Sequence, residues 1–235
     1  MPMLFLYILL IVASYFLGAI PFMILIGRMR GVDLSHAPDL HHALWYDVGR
    51  PWGILGFVLD ILKGVLPVLA GFLLGFPLIV NALAGLAALC GQMWPVFRRF
   101  DGERGNTVSV GINFTLCLCY GVMLIFVIAL AIAMAGFLIR TALRWKASGS
   151  NLNERLRLGG SPSLVFPLAV LIGFASCPVS SALLGRPLDM TLAFTGVVVL
   201  ILVRRLTAGL TADLRATRRP WSVIVNRLLF DRSER

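Results

Sequence analysis

Long apolar runs separated by short polar stretches make up most of this 235-residue chain. Several runs approach or exceed the roughly 20 residues that an α-helix needs to cross the hydrocarbon core of a bilayer. They predict spanning helices over residues 4–27, 51–76, 78–97, 163–184 and 190–203. The pattern therefore predicts an all-α polytopic membrane protein, in which lipid takes the place of a soluble core.

One further apolar run, residues 108–139, is long for a single crossing and short for two. As a single helix it would place the basic loops at its two ends on opposite faces of the membrane, against the positive-inside rule. We therefore predict two short helices that turn near Tyr120 and Gly121. All but two of the 21 basic residues, Lys63 and Arg186, then lie on one side. The sequence predicts about seven transmembrane helices, with the N-terminus outside and the C-terminus inside.

The charge distribution excludes one class of partner. A net charge of +10 could indicate nucleic acid. The basic residues instead cluster at the ends of apolar runs and in the C-terminal tail, as anchoring at an inner leaflet requires. We predict a transmembrane domain over 1–205 and a basic cytoplasmic tail over 206–235, with a short interfacial helix over 221–230. The four cysteines lie in apolar runs, which is typical of small buried hydrophobic residues.

The polar stretch between the third and fourth helices has the composition of an anion site. Its aromatic residues suit a membrane–water interface, its arginines can bind phosphate by paired hydrogen bonds, and its glycines let backbone N–H groups approach a ligand. The residues concerned are Trp94, Phe97, Arg98, Arg99, Phe100, Gly102, Arg104 and Gly105. The alternative interpretation is an ordinary basic loop that follows the positive-inside rule.

Two opposite charges interrupt the second apolar run. Asp60 and Lys63 are three residues apart, so they share one face of a helix. Charges at that depth are costly and should face the interior of the bundle as a pair. The sequence leaves two interpretations open: a ligand site or its support, and a structural ion pair that locks the bundle.

The loop over residues 31–50 contains all three histidines of the chain, His36, His41 and His42, together with three aspartates. A cluster of histidine and aspartate can bind a metal ion. The spacing fits no known ligand motif, however, and the aromatic residues of the loop are typical of a solvated loop anchored at an interface. The sequence therefore predicts no metal.

Three segments resemble one known family. Residues 15–22 (YFLGAIPF), 59–64 (LDILKG) and 91–97 (GQMWPVF) resemble, in order and spacing, the bacterial acyl-phosphate:glycerol-3-phosphate acyltransferases. The likeness covers residues 4–111, and the second half of the chain matches mainly as hydrophobic topology. It implies seven helices with the N-terminus outside, in the bacterial inner membrane.

The resemblance also implies a reaction in phospholipid biosynthesis. An acyl group passes from acyl phosphate to the 1-hydroxyl of glycerol 3-phosphate and gives lysophosphatidic acid, with neither coenzyme A nor a metal as cofactor. The implied partners are these two substrates, membrane lipids and a soluble enzyme that produces the acyl phosphate.

The chain departs from the family pattern in all three of its functional stretches. The Ser-Gly-Asn core of the first is absent from residues 35–50, where Arg50 is a possible replacement for a lost arginine. In the second, Gln92 replaces a histidine, Glu103 a glycine and Arg104 a lysine. The third, at residues 203–210, lacks the expected histidine, asparagine and glutamate.

The resemblance therefore predicts a membrane acyltransferase and leaves its catalytic residues unassigned. Phosphate-binding residues would be Gly102, Arg104, Gly105, Gln92 and Arg50. The alternative is a non-catalytic paralogue that binds lipid or a partner protein on the same scaffold. A transporter is disfavoured, because no convincing internal repeat is visible.

Overall fold

The computed structural model describes residues 2–37, 39–147, 165–210, 214 and 220–230. Over these residues the chain forms helices and turns, and no strand occurs among them. The prediction of an all-α protein is therefore confirmed. The chain divides into two compact units, residues 1–122 and 123–235.

The described residues of the first unit form six α-helices: α1 (Pro2–Ala19), α2 (Phe22–Met29), α3 (Leu40–Ala43), α4 (Arg50–Leu73), α5 (Leu78–Met93) and α6 (Asn106–Cys119). A π-helical turn, Leu44–Val48, follows α3, and a 3₁₀ turn, Val96–Arg98, follows α5. Helix α1 packs along α5, and α4 packs against both α5 and α6.

Glycines allow the helices of the first unit to approach to backbone contact. A Cβ atom on Gly18 of α1 would lie 2.0 Å from the carbonyl oxygen of Ala88 on α5. A Cβ atom on Gly64 of α4 would lie 2.2 Å from the carbonyl oxygen of Val108 on α6. No side chain fits in these gaps, so small residues set the separation between helices, as is usual in membrane bundles.

Two breaks fall at turn-forming residues. The first apolar run divides into α1 and α2, which are bent by 42° at Ile20 and Pro21; proline has no N–H to continue the helix. The run 108–139 divides after Cys119, and Gly121 has a φ of 65°, which favours glycine. The predicted turn near Tyr120 is therefore confirmed.

The described residues of the second unit include α7 (Met123–Ala147), α8 (Val165–Leu183), α9 (Leu188–Thr207) and α10 (Pro220–Phe230). Helix α8 packs against the other three. The predicted apolar run ends at residue 139, but α7 continues to Ala147, because the residues that follow have good helix propensity and include no proline or glycine. Residues 148–164, between α7 and α8, and residues 211–213, 215–219 and 231–235 of the tail lie outside the described residues.

Four helices of the described residues are long and apolar enough to cross a bilayer, and the bent pair α1–α2 would make a fifth. They are Arg50–Leu73, Leu78–Arg98, Met123–Ala142 and Leu188–Thr207. Helix α6 and residues Pro167–Leu183 are apolar but shorter. Polar side chains of the first unit gather at one place, where α3, the middle of α4, the end of α5 and the start of α6 meet.

Candidate functional site

The segment after α5 folds back onto the end of that helix. The backbone N–H of Glu103 donates a hydrogen bond to the carbonyl oxygen of Gln92, 3.0 Å away. Gly102 lies against the same carbonyl, since a Cβ atom there would be 2.2 Å from its oxygen. The hydroxyl of Tyr15 on α1 donates to the carbonyl oxygen of Trp94 at 2.8 Å. Both ends of the loop are thus fixed to the helix frame.

Two adjacent residues with a left-handed backbone reverse the chain inside this loop. Arg99 has a φ of 53° and Phe100 a φ of 63°. Residues other than glycine rarely adopt this conformation, and such strain is often found at functional sites. The N–H of Phe100 donates to the carbonyl of Pro95 at 3.0 Å, which closes the reversal. The turn returns Gly102 and Glu103 to α5.

Three buried polar side chains form a closed ring beneath the loop. The Lys63 ammonium lies 2.9 Å from Oδ1 of Asp60, one helical turn away on α4. The same ammonium donates to Oε1 of Gln92 at 2.5 Å, and Nε2 of Gln92 donates to Oδ2 of Asp60 at 3.1 Å. All three residues are at most 5% exposed. The two charges that the sequence places in the bundle interior are therefore adjacent, and the side-chain amide of Gln92 bridges them.

His41 and Glu103 extend the ring toward the protein surface. Nε2 of His41 lies 3.4 Å from Oδ2 of Asp60 and 3.7 Å from Oε2 of Glu103. It also lies 3.2 Å from the hydroxyl oxygen of Thr107 at the start of α6. The side chains of His41 and Glu103 are 33% and 20% exposed, whereas that of Asp60 is 1% exposed. The cluster therefore runs from a buried carboxylate to an accessible edge.

The environment of this cluster shifts two of its pKa values. Burial and the negative charge of Asp60 raise the pKa of Glu103 to about 7, although His41, Lys63 and Arg98 act in the opposite direction. Burial alone would lower the pKa of His41, but the neighbouring carboxylates of Asp60 and Glu103 outweigh burial and raise that pKa. Near neutral pH the accessible edge of the cluster can therefore exchange protons.

The residues predicted to bind phosphate lie at the start of α4, near the end of α5 and in the loop before α6. Gly105, with a φ of 75°, immediately precedes α6, and Arg104 beside it is exposed. Arg50 is exposed at the start of α4. The side-chain amide of Gln92 is bonded at both ends to the charged pair. The phosphate-binding roles of Gly102, Arg104, Gly105, Gln92 and Arg50 stay predictions.

The histidine-containing loop does not gather its own aspartates into a site. The side chain of Asp33 accepts hydrogen bonds from Ser35, and that of Asp39 accepts from the backbone N–H of His42 at the start of α3. These contacts shape a turn and a helix cap. His41, by contrast, lies against α4. The potential metal-ligand atoms that do converge are on His41, Asp60 and Glu103, all within 4.8 Å of one another.

Sequence reasoning missed this convergence. The sequence places His41 in a solvated loop and Glu103 in the altered second stretch, and it links neither residue to Asp60. One signal is available: Gln92 and Glu103 both replace residues of the family pattern. Gln92 is hydrogen-bonded to Asp60, and a carboxylate oxygen of Glu103 lies within 4.8 Å of one of Asp60. Two replacements that meet in space indicate a locally remodelled site.

The third altered stretch lies in the second unit, where arginines fix helix ends. Arg205 donates hydrogen bonds to the carbonyl oxygens of Pro167 at 3.1 Å and Leu228 at 3.2 Å. Arg204 and Arg205 are 6% and 3% exposed. The Arg205 guanidinium therefore joins α9 to α8 and α10 through main-chain acceptors.

Comparison with known proteins gives one consistent family. The family model described as glycerol-3-phosphate acyltransferase matches residues 8–211. A glycerol-3-phosphate acyltransferase from Trichlorobacter lovleyi is 35% identical over 127 residues, which are 52% of this chain and 66% of that protein. Glycerol-3-phosphate acyltransferase 4 from Dehalococcoides mccartyi is 27% identical over 239 residues, 97% of this chain and 90% of its own length. For several curated relatives, the matched part is only about half to two thirds of their length.

Two solved structures share the fold. Both are of PlsY (YgiH), an integral membrane glycerol 3-phosphate acyltransferase. Its lysophosphatidic acid form superposes with a TM-score of 0.61 at 22% identity, covering 89% of this chain and 92% of that one. Its glycerol 3-phosphate form gives a TM-score of 0.62 at 24% identity, covering 97% and 94%.

We predict that Asp60→Ala lowers the free energy of unfolding by roughly 3–5 kcal/mol, because it leaves the buried Lys63 ammonium without its carboxylate. The double variant Asp60→Asn, Lys63→Gln should recover part of the loss. Thermal unfolding in detergent micelles measures both. The control Asp47→Ala removes an exposed carboxylate and should change stability by less than about 0.5 kcal/mol. An equal loss in the single and double variants would contradict the pairing.

The raised pKa of Glu103 predicts a pH-dependent stability. The folded protein binds this proton more tightly than the unfolded chain, so its contribution is full below about pH 4.5 and disappears as the pH rises to about 7. The variant Glu103→Gln removes that slope and should gain roughly 2–4 kcal/mol relative to wild type between pH 4.5 and 7. Denaturation of both proteins across this range measures the difference. If the free energies of unfolding of the two proteins changed in parallel with pH, the pKa of Glu103 would not be raised.

Proposed function

The chain belongs to the glycerol-3-phosphate acyltransferase family, and from this premise we propose that it is a membrane enzyme of phospholipid biosynthesis. It transfers a fatty acyl group from acyl phosphate to glycerol 3-phosphate. The hydroxyl oxygen attacks the acyl carbonyl carbon, the bond from that carbon to the phosphate oxygen breaks, and inorganic phosphate leaves. The hydroxyl proton passes to a phosphate oxygen of the substrates, so the reaction requires no protein base.

The observation that carries this proposal is the construction of the loop over residues 94–105. Its two ends are hydrogen-bonded to α1 and α5, and Arg104, between Glu103 and Gly105, is exposed. Such a loop fixes the backbone that carries this cation before substrate arrives, which favours phosphate binding and positioning. Gly105 directly precedes α6, whose N-terminal N–H groups favour anions.

One observation favours the alternative of a non-catalytic paralogue. The Glu103 carboxyl lies among charged groups at a position where the family pattern has glycine, and a carboxylate there would oppose phosphate binding. Against this, the pKa of about 7 leaves that carboxyl largely protonated below neutral pH, and His41 lies 3.7 Å away. Below neutral pH, Glu103 therefore adds little negative charge to the site.

The proposal includes a topology and a location. Besides the five possible spans, the shorter helices α6 and α8 would complete seven crossings, with the N-terminus outside and the C-terminus inside. We place the enzyme in the bacterial inner membrane, with a transmembrane domain over 1–205 and a cytoplasmic tail over 206–235. A soluble enzyme that makes acyl phosphate would supply the donor from the cytoplasmic side.

Activity tests this proposal directly. Purified protein given palmitoyl phosphate and radiolabelled glycerol 3-phosphate should form lysophosphatidic acid.

We predict that Arg104→Ala lowers kcat/KM by about one to two powers of ten, because a charge-assisted hydrogen bond contributes about 1.5–3 kcal/mol. Arg104→Lys keeps the charge and should lose less. Arg186→Ala, an exposed arginine of the other unit, is the control and should behave as wild type. Folded protein without activity on any acyl phosphate would favour the non-catalytic paralogue.

Cysteine labelling in intact cells tests the topology. Single cysteines at the exposed positions His36 and Asp101, at Ser150 and at the C-terminus, each in a variant without the four native cysteines, should resist a membrane-impermeant maleimide until the cells are opened. A cysteine at Gly121, in the turn after α6, should react in intact cells. Labelling of Ser150 from outside while Asp101 stays protected would contradict the short helix pair α6–α7.

A further inference from the structure

Nε2 of His41 has more oxygen neighbours than one hydrogen bond can use. Three oxygen atoms surround this one nitrogen: that of Thr107 at 3.2 Å, one of Asp60 at 3.4 Å and one of Glu103 at 3.7 Å. A single N–H can point at one acceptor, and good N–H···O distances lie at about 2.7–3.2 Å. The two carboxylate oxygens are too distant for good hydrogen bonds to it.

The same distances suit the edges of a coordination tetrahedron. Ligand atoms about 2.0–2.1 Å from a tetrahedral Zn²⁺ ion lie about 3.3–3.4 Å from one another. The nitrogen of His41 is 3.4 Å and 3.7 Å from the two carboxylate oxygens, and all three atoms lie within 4.8 Å of one another. Glu103 belongs to a loop, so a small movement of its side chain would close the remaining edge.

The three atoms belong to separate segments: His41 to α3, Asp60 to the middle of α4, and Glu103 to the loop before α6. A second layer already orients the central ligand, as in established metal sites. Nε2 of Gln92 donates to the Asp60 oxygen that faces His41, and Lys63 holds the other oxygen. The buried carboxylate is therefore fixed in place, and the two partly exposed ligands leave one side open to solvent.

From this geometry we infer that His41, Asp60 and Glu103 form a binding site for a divalent metal ion of the zinc class, with three protein ligands and a fourth position open to water or a phosphate oxygen. Two carboxylates and a neutral imidazole offset the charge of the ion. The bound ion fastens α3 and the loop over 94–105 to α4. This site does not depend on the proposed acyl transfer, since it requires only the three ligands.

Metal binding to the full-length, untagged protein in detergent tests the inference without any assay of activity. Zn²⁺ is titrated in competition with a fluorescent zinc indicator, and Co²⁺ is added separately as a spectroscopic substitute. We expect one Zn²⁺ per chain, a higher unfolding temperature with Zn²⁺, and the strong visible absorption of tetrahedral Co²⁺. His41→Gln and Glu103→Gln should each weaken Zn²⁺ binding by more than about tenfold and abolish the Co²⁺ bands.

The neighbouring histidines supply matched controls. His42 lies on the same short helix as His41 but stacks on Tyr46, with ring centres 4.5 Å apart, and His36 is exposed. His36→Gln and His42→Gln should bind Zn²⁺ as wild type does. Glu103→Gly introduces the residue of the family pattern, so it should fold and still lose the site. Absence of stoichiometric Zn²⁺ binding by folded wild type would overturn the inference. So would equal affinities of wild type, His41→Gln and Glu103→Gly.

Discussion

Burying Asp60 and Lys63 among apolar helices requires that each charge be compensated at close range, since neither lipid nor water is available to do so. The pair achieves this one helical turn apart on α4, and Gln92 of α5 satisfies both members at once. These hydrogen bonds fix the position of α4 relative to α5 along the helix axes. The carbonyl of the same Gln92 then accepts the N–H of Glu103. One residue thus links the buried charges to the loop that would bind phosphate.

Close helix contact is the second condition for this arrangement. The backbone of α4 reaches that of α6 because Gly64 and Gly111 carry no side chains, and the contact at Gly64 falls at Val108, next to Thr107. Thr107 in turn lies beside His41. A larger residue at Gly64 would separate the two helices and move one wall of the polar cluster. Packing and site geometry therefore depend on the same few small residues.

The helices could be predicted from the sequence because crossing a bilayer imposes length and apolar composition on each segment separately. The same holds for the break at Pro21 and the turn at Gly121, where local backbone chemistry decides the outcome. The apolar run ends at residue 139 but α7 extends to Ala147, because apolar composition stops at the first charged residues whereas helix propensity continues through them.

The polar cluster could be predicted only in part. Asp60 and Lys63 are neighbours on one helix, so their spacing is sufficient to pair them. His41 and Glu103 reach the pair from other segments, through a short helix and a loop that depends on left-handed residues at Arg99 and Phe100. Neither the short helix α3 nor this loop produces a periodic pattern of apolar residues in the sequence. Only the tertiary fold brings these side chains together.

The contact between His41 and Glu103 explains how a loop can accept an acidic residue beside a predicted phosphate site. Glu103 by itself would add a negative charge next to Arg104 and weaken its attraction for an anion. His41 lies in the stretch that lacks the Ser-Gly-Asn motif, and its ring nitrogen is 3.7 Å from that carboxyl. A proton on either group, or a metal ion between them, offsets the added charge. The departures in the first two stretches therefore compensate each other electrostatically, and the exposed arginines keep the sign of charge that a phosphate requires.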